Sequence, residues 1–313
     1  MASATLLLPP VALFGQQRLG DIAARAMGRA DRLDKGEDGR RAQLLRHFIL
    51  TPRHWPIAAL TRQAEASDAG GSAWLRADPV HISPDINGAR LLAYGEALSM
   101  TDADRAALLP ALQPLFGDAG FALDAPTPSH WYLRLARETK FSGFTDPAEA
   151  LGEDVFDHFV EGAEGRRWRA LLSETQVILH NHAWNTQRAR QGKAPINSLW
   201  FWGGGTLPQE VNALGHESVF SDDESVFALG NMACIAQPLP TRLPDVSDDA
   251  MFDLRHERDL ARLQSDWLLP ALAEVDRGRL KRLELDLADG LILEIRRNQR
   301  WRFWRTSLKR FGE

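Results

Sequence analysis

"INSLWFWGGGTLP", residues 196–208, places two tryptophans and a phenylalanine directly before three successive glycines. A continuous apolar run of this length, closed by a turn signal, predicts a strand covered on both faces, as in the middle of a parallel sheet with helices on each side. Glycines at the carboxyl end of such a strand let the backbone approach a ligand and aim amide N–H groups at it, which suits a phosphate; they suit a plain turn equally well. The loop has no Lys-Ser/Thr of a P-loop, and Pro208 stands where a G-x-G-x-x-G run would need its last glycine.

The surroundings of this stretch alternate in the same sense. Upstream, Trp168, Leu171, Leu172, Thr175, Ile178, Leu179 and His182 follow helical spacing, which predicts one long helix from about Arg166 toward Gly192. Downstream, "HESVFS" reads as a strand and "DESVFALGNMACIA" as a helix, with a further helix inside 253–275. Leu6 to Leu8 predict a first strand ended by Pro9-Pro10, and 73–94 predict two strands around the turn "SPDINGA". Thr101 with Asp104 three positions on predicts a capped helix start, and "LKRLELDLADGLILEIRR" predicts a hairpin turning at Asp289-Gly290, with Trp301 to Phe303 as a third strand. The fold class that follows is α/β: a mostly parallel central sheet flanked by helices, with a C-terminal antiparallel hairpin. One domain over 1–313 is expected, with a smaller subdomain around 73–165.

Composition narrows the function classes. The chain has 313 residues, 44% hydrophobic and 25% charged, with a net charge of -5, which is ordinary for a folded protein and argues against nucleic acid as the main partner. Cys234 is the single cysteine, so neither an intrachain disulfide nor a cysteine metal cluster is expected; it reads as a small buried residue of a helix. The apolar start is cut by prolines well short of a membrane span, so a cytoplasmic location without a membrane partner is expected.

Candidate ligand residues cluster around the opening stretch. Asn185 and Arg188 share a helix face just before it, Asn197 lies at its entry, and Trp202, Gly203, Gly204 and Gly205 form its end. Asp78 and His81 offer oxygen and nitrogen donors near the end of another predicted strand; Asp78-Pro79 is equally a turn former. His180 and His182, two apart on a helix, point in different directions and are poorly placed to share a metal. "RRNQRWRFWRTSLKRF" interleaves seven basic residues with Trp301, Phe303, Trp304 and Phe311, a pattern that stacks on bases or forms a strand with one charged and one buried aromatic face.

The segment "HNHAWNTQRARQGKAPINSLWFWGGGTLP" resembles the archaeal-type cofactor-independent phosphoglycerate mutases of the alkaline phosphatase superfamily, at Asn185, Arg188, Asn197, Trp200, Trp202, Gly203 and Gly205. "AWLRADPVH", "HWYLRLA" and "WRFWR" look like the smaller bacterial regulatory proteins of the pathogenicity-factor E type. The first resemblance implies an α/β fold, a phosphate-ester ligand and, in the mutases, two divalent metals held by Asp and His that activate a Ser or Thr. Here Pro9-Pro10 replace that family's Asp-Gly, and the only Asp-His pair, Asp157-His158, precedes the tryptophan-glycine stretch instead of following it. The expectation is therefore a non-catalytic, regulatory or ligand-binding protein with no cofactor and no metal set, whose partner is a small phosphorylated or anionic metabolite. Its rival is a phosphomutase or phosphatase with a rebuilt Mn, Zn or Mg centre including Asp78 and His81. A scaffold that binds a protein partner through the C-terminal basic-aromatic hairpin is a third reading.

Overall fold

The computed structural model describes residues 2–312 except 34, 86, 87, 142, 143 and 159–161, together with the backbone but not the side chains of 163 and 164. The chain forms two compact units, one discontinuous (1–53 with 210–313) and one inserted between its halves (54–209). The inserted unit is wider than the expected subdomain and contains the opening stretch.

Unit 1 comprises β1 (Ala2–Leu8), β2 (Asp31–Arg32), β3 (Ile49–Thr51), β9 (Glu210–Asn212), β10 (Ser218–Phe220), β11 (Ala236–Gln237), β12 (Ala250–Asp253), β13 (Leu280–Leu287) and β14 (Ile292–Ile295). Its helices are α1 (Asp21–Arg29), α2 (Arg40–Leu45), α8 (Glu224–Met232), α9 (Leu260–Leu263) and α10 (Leu269–Arg277). Seven strands make one sheet in the order β11-β10-β12-β1-β13-β14-β2, parallel from β11 through β13 and antiparallel beyond. β3 and β9 pair separately.

The α/β class with a largely parallel sheet and a C-terminal hairpin is thus observed. The even residues of β1, Ala4, Leu6 and Leu8, enter an apolar core with Met27 of α1, Trp267, and Leu272 of α10. Side chains alternate across a strand, so the odd residues Thr5 and Leu7 face the opposite side. The predicted third strand at Trp301 to Phe303 is instead a 3-10 turn over Arg297–Trp301. Gln299 locks that turn by accepting from Arg296 N and donating to Glu294 O and Asp31, and the place beside β14 belongs to β2. Cys234 is exposed just past the end of α8 in a left-handed conformation (φ 60°), against the expectation that a helix buries it.

Unit 2 contains β4 (Ala73–Asp85), β5 (Gly88–Tyr94), β6 (Ala122–Asp124), β7 (Tyr132–Leu135) and β8 (Ser198–Thr206), with α3 (Ile57–Ala66), α4 (Asp102–Asp118), α5 (Pro147–Ala150), α6 (Gly162–His180) and α7 (Ala183–Arg190). Among the described residues its named strands pair antiparallel throughout, and Leu91 of β5 makes one isolated parallel bridge to Leu151. The expected capping box opens α4, with Thr101 and Asp104 exchanging hydrogen bonds. The single long helix expected from about Arg166 is two: Asn181 caps the last turn of α6 through Val177 O, and His182, in extended conformation, accepts from Trp184 N to start α7. Among the described residues no helix is long and apolar enough to cross a membrane.

Candidate functional site

β8, for which the sequence predicts a place within a parallel sheet, pairs among the described residues with β4 alone and antiparallel, at the margin of the unit 2 sheet. Its apolar run has a different cause. Phe201 and Leu199 pack into a core with Leu108, Phe116 and Trp168, while Trp200 and Trp202 are also buried, so both faces are covered without parallel neighbours. The glycines do not open onto a strand end. They lie inside β8, where a Cβ on Gly205 would come within 2.6 Å of Pro56, one on Gly204 within 2.5 Å of the Phe141 ring, and one on Gly203 within 3.2 Å of the Ala58 amide at the start of α3. Gly203 also has φ +66°. The run lets α3 and Phe141 approach the strand backbone closely.

The polar residues around this strand are held by internal partners. Asn185 donates to Leu179 O and Ile196 O, each at 2.8 Å, and accepts from Ile196 N at 2.9 Å, tying α7 to the chain entering β8. Asn197 accepts from Ile82 N at 2.9 Å and donates to Ile82 O at 2.7 Å, fastening that chain to β4. Arg188 is 1% exposed; its guanidinium lies 2.8 Å from Asp104 and donates to Leu98 O at 2.6 Å and Ala194 O at 3.0 Å. Burial opposes ionisation of Asp104, yet Arg188, Trp184 and Thr101 hold its carboxyl at about 2.

Asp78 is buried and accepts from Arg76 Nε at 2.9 Å, Trp131 N at 3.1 Å and Trp202 Nε1 at 2.7 Å, with the Arg76 guanidinium 5.1 Å over the Trp202 ring. His81 stands three residues along β4, hence on the other face of the sheet, and its Nδ1 is buried without a hydrogen-bond partner. Asp78 and His81 do not converge, and a carboxylate already matched to a guanidinium has no place for a divalent cation. The donor set does not fit the rebuilt metal centre.

A second cluster, missed by sequence reading, lies at the carboxyl edge of the parallel sheet in unit 1, the edge at which open α/β sheets bind ligands. Leu7 of β1 is in register with Asp253 of β12 and with Asp286 of β13, so both carboxylates share the face opposite the apolar core. Ser221, just past β10, donates to Asp253 at 2.9 Å. Above this row, Gln43 of α2 donates to Leu8 O and Asp286 O, bringing the end of the helix and the residues after it over the sheet edge.

Each aspartate is closed by its own arginine. Arg46 grips Asp286 with two bonds, at 2.9 and 2.6 Å, and His47 Nε2 lies 2.8 Å from the same carboxylate. Arg255 grips Asp253 with two bonds, at 2.7 and 2.9 Å. Burial opposes ionisation at both aspartates; at Asp286 the bonds from His47 and Arg46, and at Asp253 the charge and bonds of Arg255, hold the carboxyl below its usual range. His47 Nδ1 lies 3.1 Å from His216 Nε2, and burial, followed by His47 and Arg282, lowers His216 to about 4.

The edge therefore holds Asp, His and Ser, the residue types that two-metal catalysis uses, but the carboxylates are saturated by guanidinium groups that stand where a cation would bind. The two-metal centre does not fit them. On the solvent side, Arg40 donates to Asp223 at 2.9 Å, and Arg255 lies 3.4 Å from the same residue. Arg258 donates to the carbonyls of Arg255 and Glu257 and forms no ion pair with a described carboxylate; burial and the nearby charge of Arg40 pull its pKa down. Two partly solvated cations thus repel each other at the sheet edge. The sequence signal was thin: "DLR" and "LDL" are the patterns of ordinary strands, and only the register of β12 and β13 against β1 aligns their acids.

No family model matches the chain. A probable 2,3-bisphosphoglycerate-independent phosphoglycerate mutase of Geobacter sulfurreducens is 27% identical over 156 residues, 49% of this chain and 38% of that protein. The corresponding mutase of Methanosarcina acetivorans is 35% identical over 65 residues, 21% of this chain and 16% of its own. The chain thus matches well under half the length of these relatives. Among solved structures, the cofactor-independent phosphoglycerate mutase of Thermoplasma acidophilum aligns over 95% of this chain and 90% of its own, at 13% identity and a TM-score of 0.42. This chain is distantly similar in sequence to the cofactor-independent phosphoglycerate mutases.

Proposed function

We propose that this chain is a non-catalytic, phosphoglycerate-mutase-like regulatory protein of the pathogenicity-factor E type, acting in the bacterial cytoplasm without a resident metal. It binds a phosphate ester or a related anionic metabolite at the carboxyl edge of its parallel sheet. The observation that carries the reading is that Asp253 and Asp286 are each matched to an arginine, so the edge offers fixed guanidinium groups in place of metal ions. A phosphoryl group has the charge and the planar oxygen pairs that guanidinium groups bind in two-point fashion, and one placed beside Arg40 and Arg258 relieves their mutual repulsion. The ligand role expected at Asn185, Arg188, Asn197 and the glycines passes in this reading to unit 1, since those residues are occupied in holding β8 and α7.

Two measurements test the proposal. Metal analysis of the purified protein, with mutase and phosphatase assays in manganese, zinc or magnesium, is expected to give neither stoichiometric metal nor turnover; both together would refute it. Thermal denaturation with 3-phosphoglycerate or inorganic phosphate is expected to show stabilisation, about 2.7 kcal/mol when ligand is at a hundred times its dissociation constant. Replacing Arg258 with Ala should abolish that response. An unchanged response in the Arg258 variant, or none in the wild type, defeats the anion site.

A further inference from the structure

The C-terminal segment of unit 1 is strapped along α1. Leu308 N donates to Ala24 O and Leu19 N to Lys309 O, each at 2.9 Å, and Arg302 donates to Arg29 O at 3.1 Å and pairs with Asp31. Gly28 makes the close approach possible, because a Cβ there would collide with the Thr306 carbonyl. Beyond the strap, Phe311 is buried against Phe14, with ring centroids 5.6 Å apart. The segment is therefore fixed at both ends.

At the start of this strap and along it three large aromatic side chains face solvent: Trp301, just before Arg302, at 65%, Phe303 at 80% and Trp304 at 69% exposure. Phe303 and Trp304 meet edge to face at 5.4 Å, and the Arg300 guanidinium lies 4.9 Å over the Trp301 ring. This contradicts the ordinary reading of an aromatic-basic run, in which the rings turn inward. Within 296–310 there are seven basic residues and no acid. Arg296 is committed to Glu294 and Arg302 to Asp31, whereas Arg297, Arg300 and Arg310 form no ion pair with any described carboxylate. A chain of net charge -5 thus gathers uncompensated positive charge around its most exposed rings.

We propose that this segment docks unit 1 on an anionic lipid bilayer, as a peripheral contact. Tryptophan and phenylalanine rings settle at the depth of the headgroups, and arginines beside them meet the lipid phosphates. Rings that project from a turn suit a fluid interface, which closes around any shape. A folded protein partner would have to present a hollow for each ring, and single-stranded nucleic acid would need a basic groove to follow. The contact is independent of the anion site at the sheet edge.

The test is co-sedimentation with vesicles of one-third phosphatidylglycerol and two-thirds phosphatidylcholine, against vesicles of phosphatidylcholine alone. Wild-type protein should sediment with the anionic vesicles and not with the neutral ones. A variant carrying Trp301→Ala, Phe303→Ala and Trp304→Ala should lose binding by about tenfold or more, at an unchanged melting temperature because the rings are exposed. Arg297→Gln, Arg300→Gln and Arg310→Gln should each weaken binding by about fivefold at low salt, and raising the salt should weaken the wild type. No binding to anionic vesicles, equal binding to neutral ones, or a triple variant that binds like the wild type overturns the proposal. RNA binding or self-association that depends on the three rings, in the absence of vesicle binding, overturns it equally and hands the surface to that partner.

Discussion

Replacing Arg188 with Met removes the guanidinium while keeping most of the side-chain stem, and leaves the Asp104 carboxylate 2% exposed without its cation. Trp184 Nε1 at 2.8 Å and the Thr101 amide at 2.8 Å continue to donate to it, so the loss is that of one partner from a buried pair, about 3–5 kcal/mol. The carbonyls of Leu98 and Ala194 also lose their donor. Urea unfolding followed by tryptophan fluorescence suits the measurement, because Trp55, Trp74, Trp131, Trp168, Trp184, Trp200 and Trp202 all belong to unit 2. The midpoint at neutral pH should fall by about 1–2 M. The pH dependence fixes the cause. In the wild type the native pKa of Asp104 is depressed to about 2, so its contribution is complete above the unfolded value of 3.8 and is lost as pH falls through about 2. In the variant burial acts without the guanidinium, the native carboxyl binds its proton more readily, and the gap to wild type should narrow as pH drops from 7 toward 3. Adding Asp104→Asn should restore part of the loss. A variant within about 0.5 kcal/mol of wild type, at the level of ordinary surface changes, or a gap constant with pH, would refute the structural role. So would intact stability combined with a lost phosphate response, which would return Arg188 to the ligand.

Gly204→Val should destabilise unit 2 by about 1–3 kcal/mol through its clash with Phe141, leaving the phosphate-induced thermal shift intact; a stable variant without that shift would restore the ligand reading of the glycine run. His216 has its native pKa lowered from 6.5 to about 4, so its neutral form favours the fold above about 6.5 and that contribution is lost as pH falls toward 4; His216→Gln should flatten stability between those values, and an unchanged slope would contradict the partly buried pair with His47. Gly28→Val should displace the C-terminal strap and speed proteolysis after Arg302 and Arg305, an effect absent if the collision with Thr306 is relieved without detachment.

Local chemistry made much of the fold legible. The run at β1, the capping box at Thr101 and the Asp289-Gly290 hairpin each depend on neighbours within a few positions, and each was found where expected. The opening stretch was read correctly as a covered strand and wrongly as a parallel one, because an apolar run reports that two faces are covered and carries nothing about the direction of the neighbour. The long helix after Arg166 was broken by a histidine acting as a cap, a role that periodicity does not register. The candidate site was less legible still. Arg188 and Asp78 have the residue types of a ligand site, but their partners Asp104 and Trp202 are distant in sequence, and only folding shows that these pairs satisfy one another. The Asp253 and Asp286 row exists only through a register set by β1.

That register also dictates an order of assembly. β1 lies far from both of its neighbours in sequence, with Ala4 matched to Ala250 on one side and Leu283 on the other, so it is made well before either of them. All strand pairing of the inserted unit lies between β4 and β8, so it is available long before. During synthesis the nascent "ATLLL" segment waits as an unpaired, sticky strand. A gene truncated after Arg277 should therefore yield insoluble protein, because β1 would keep one bare edge for good.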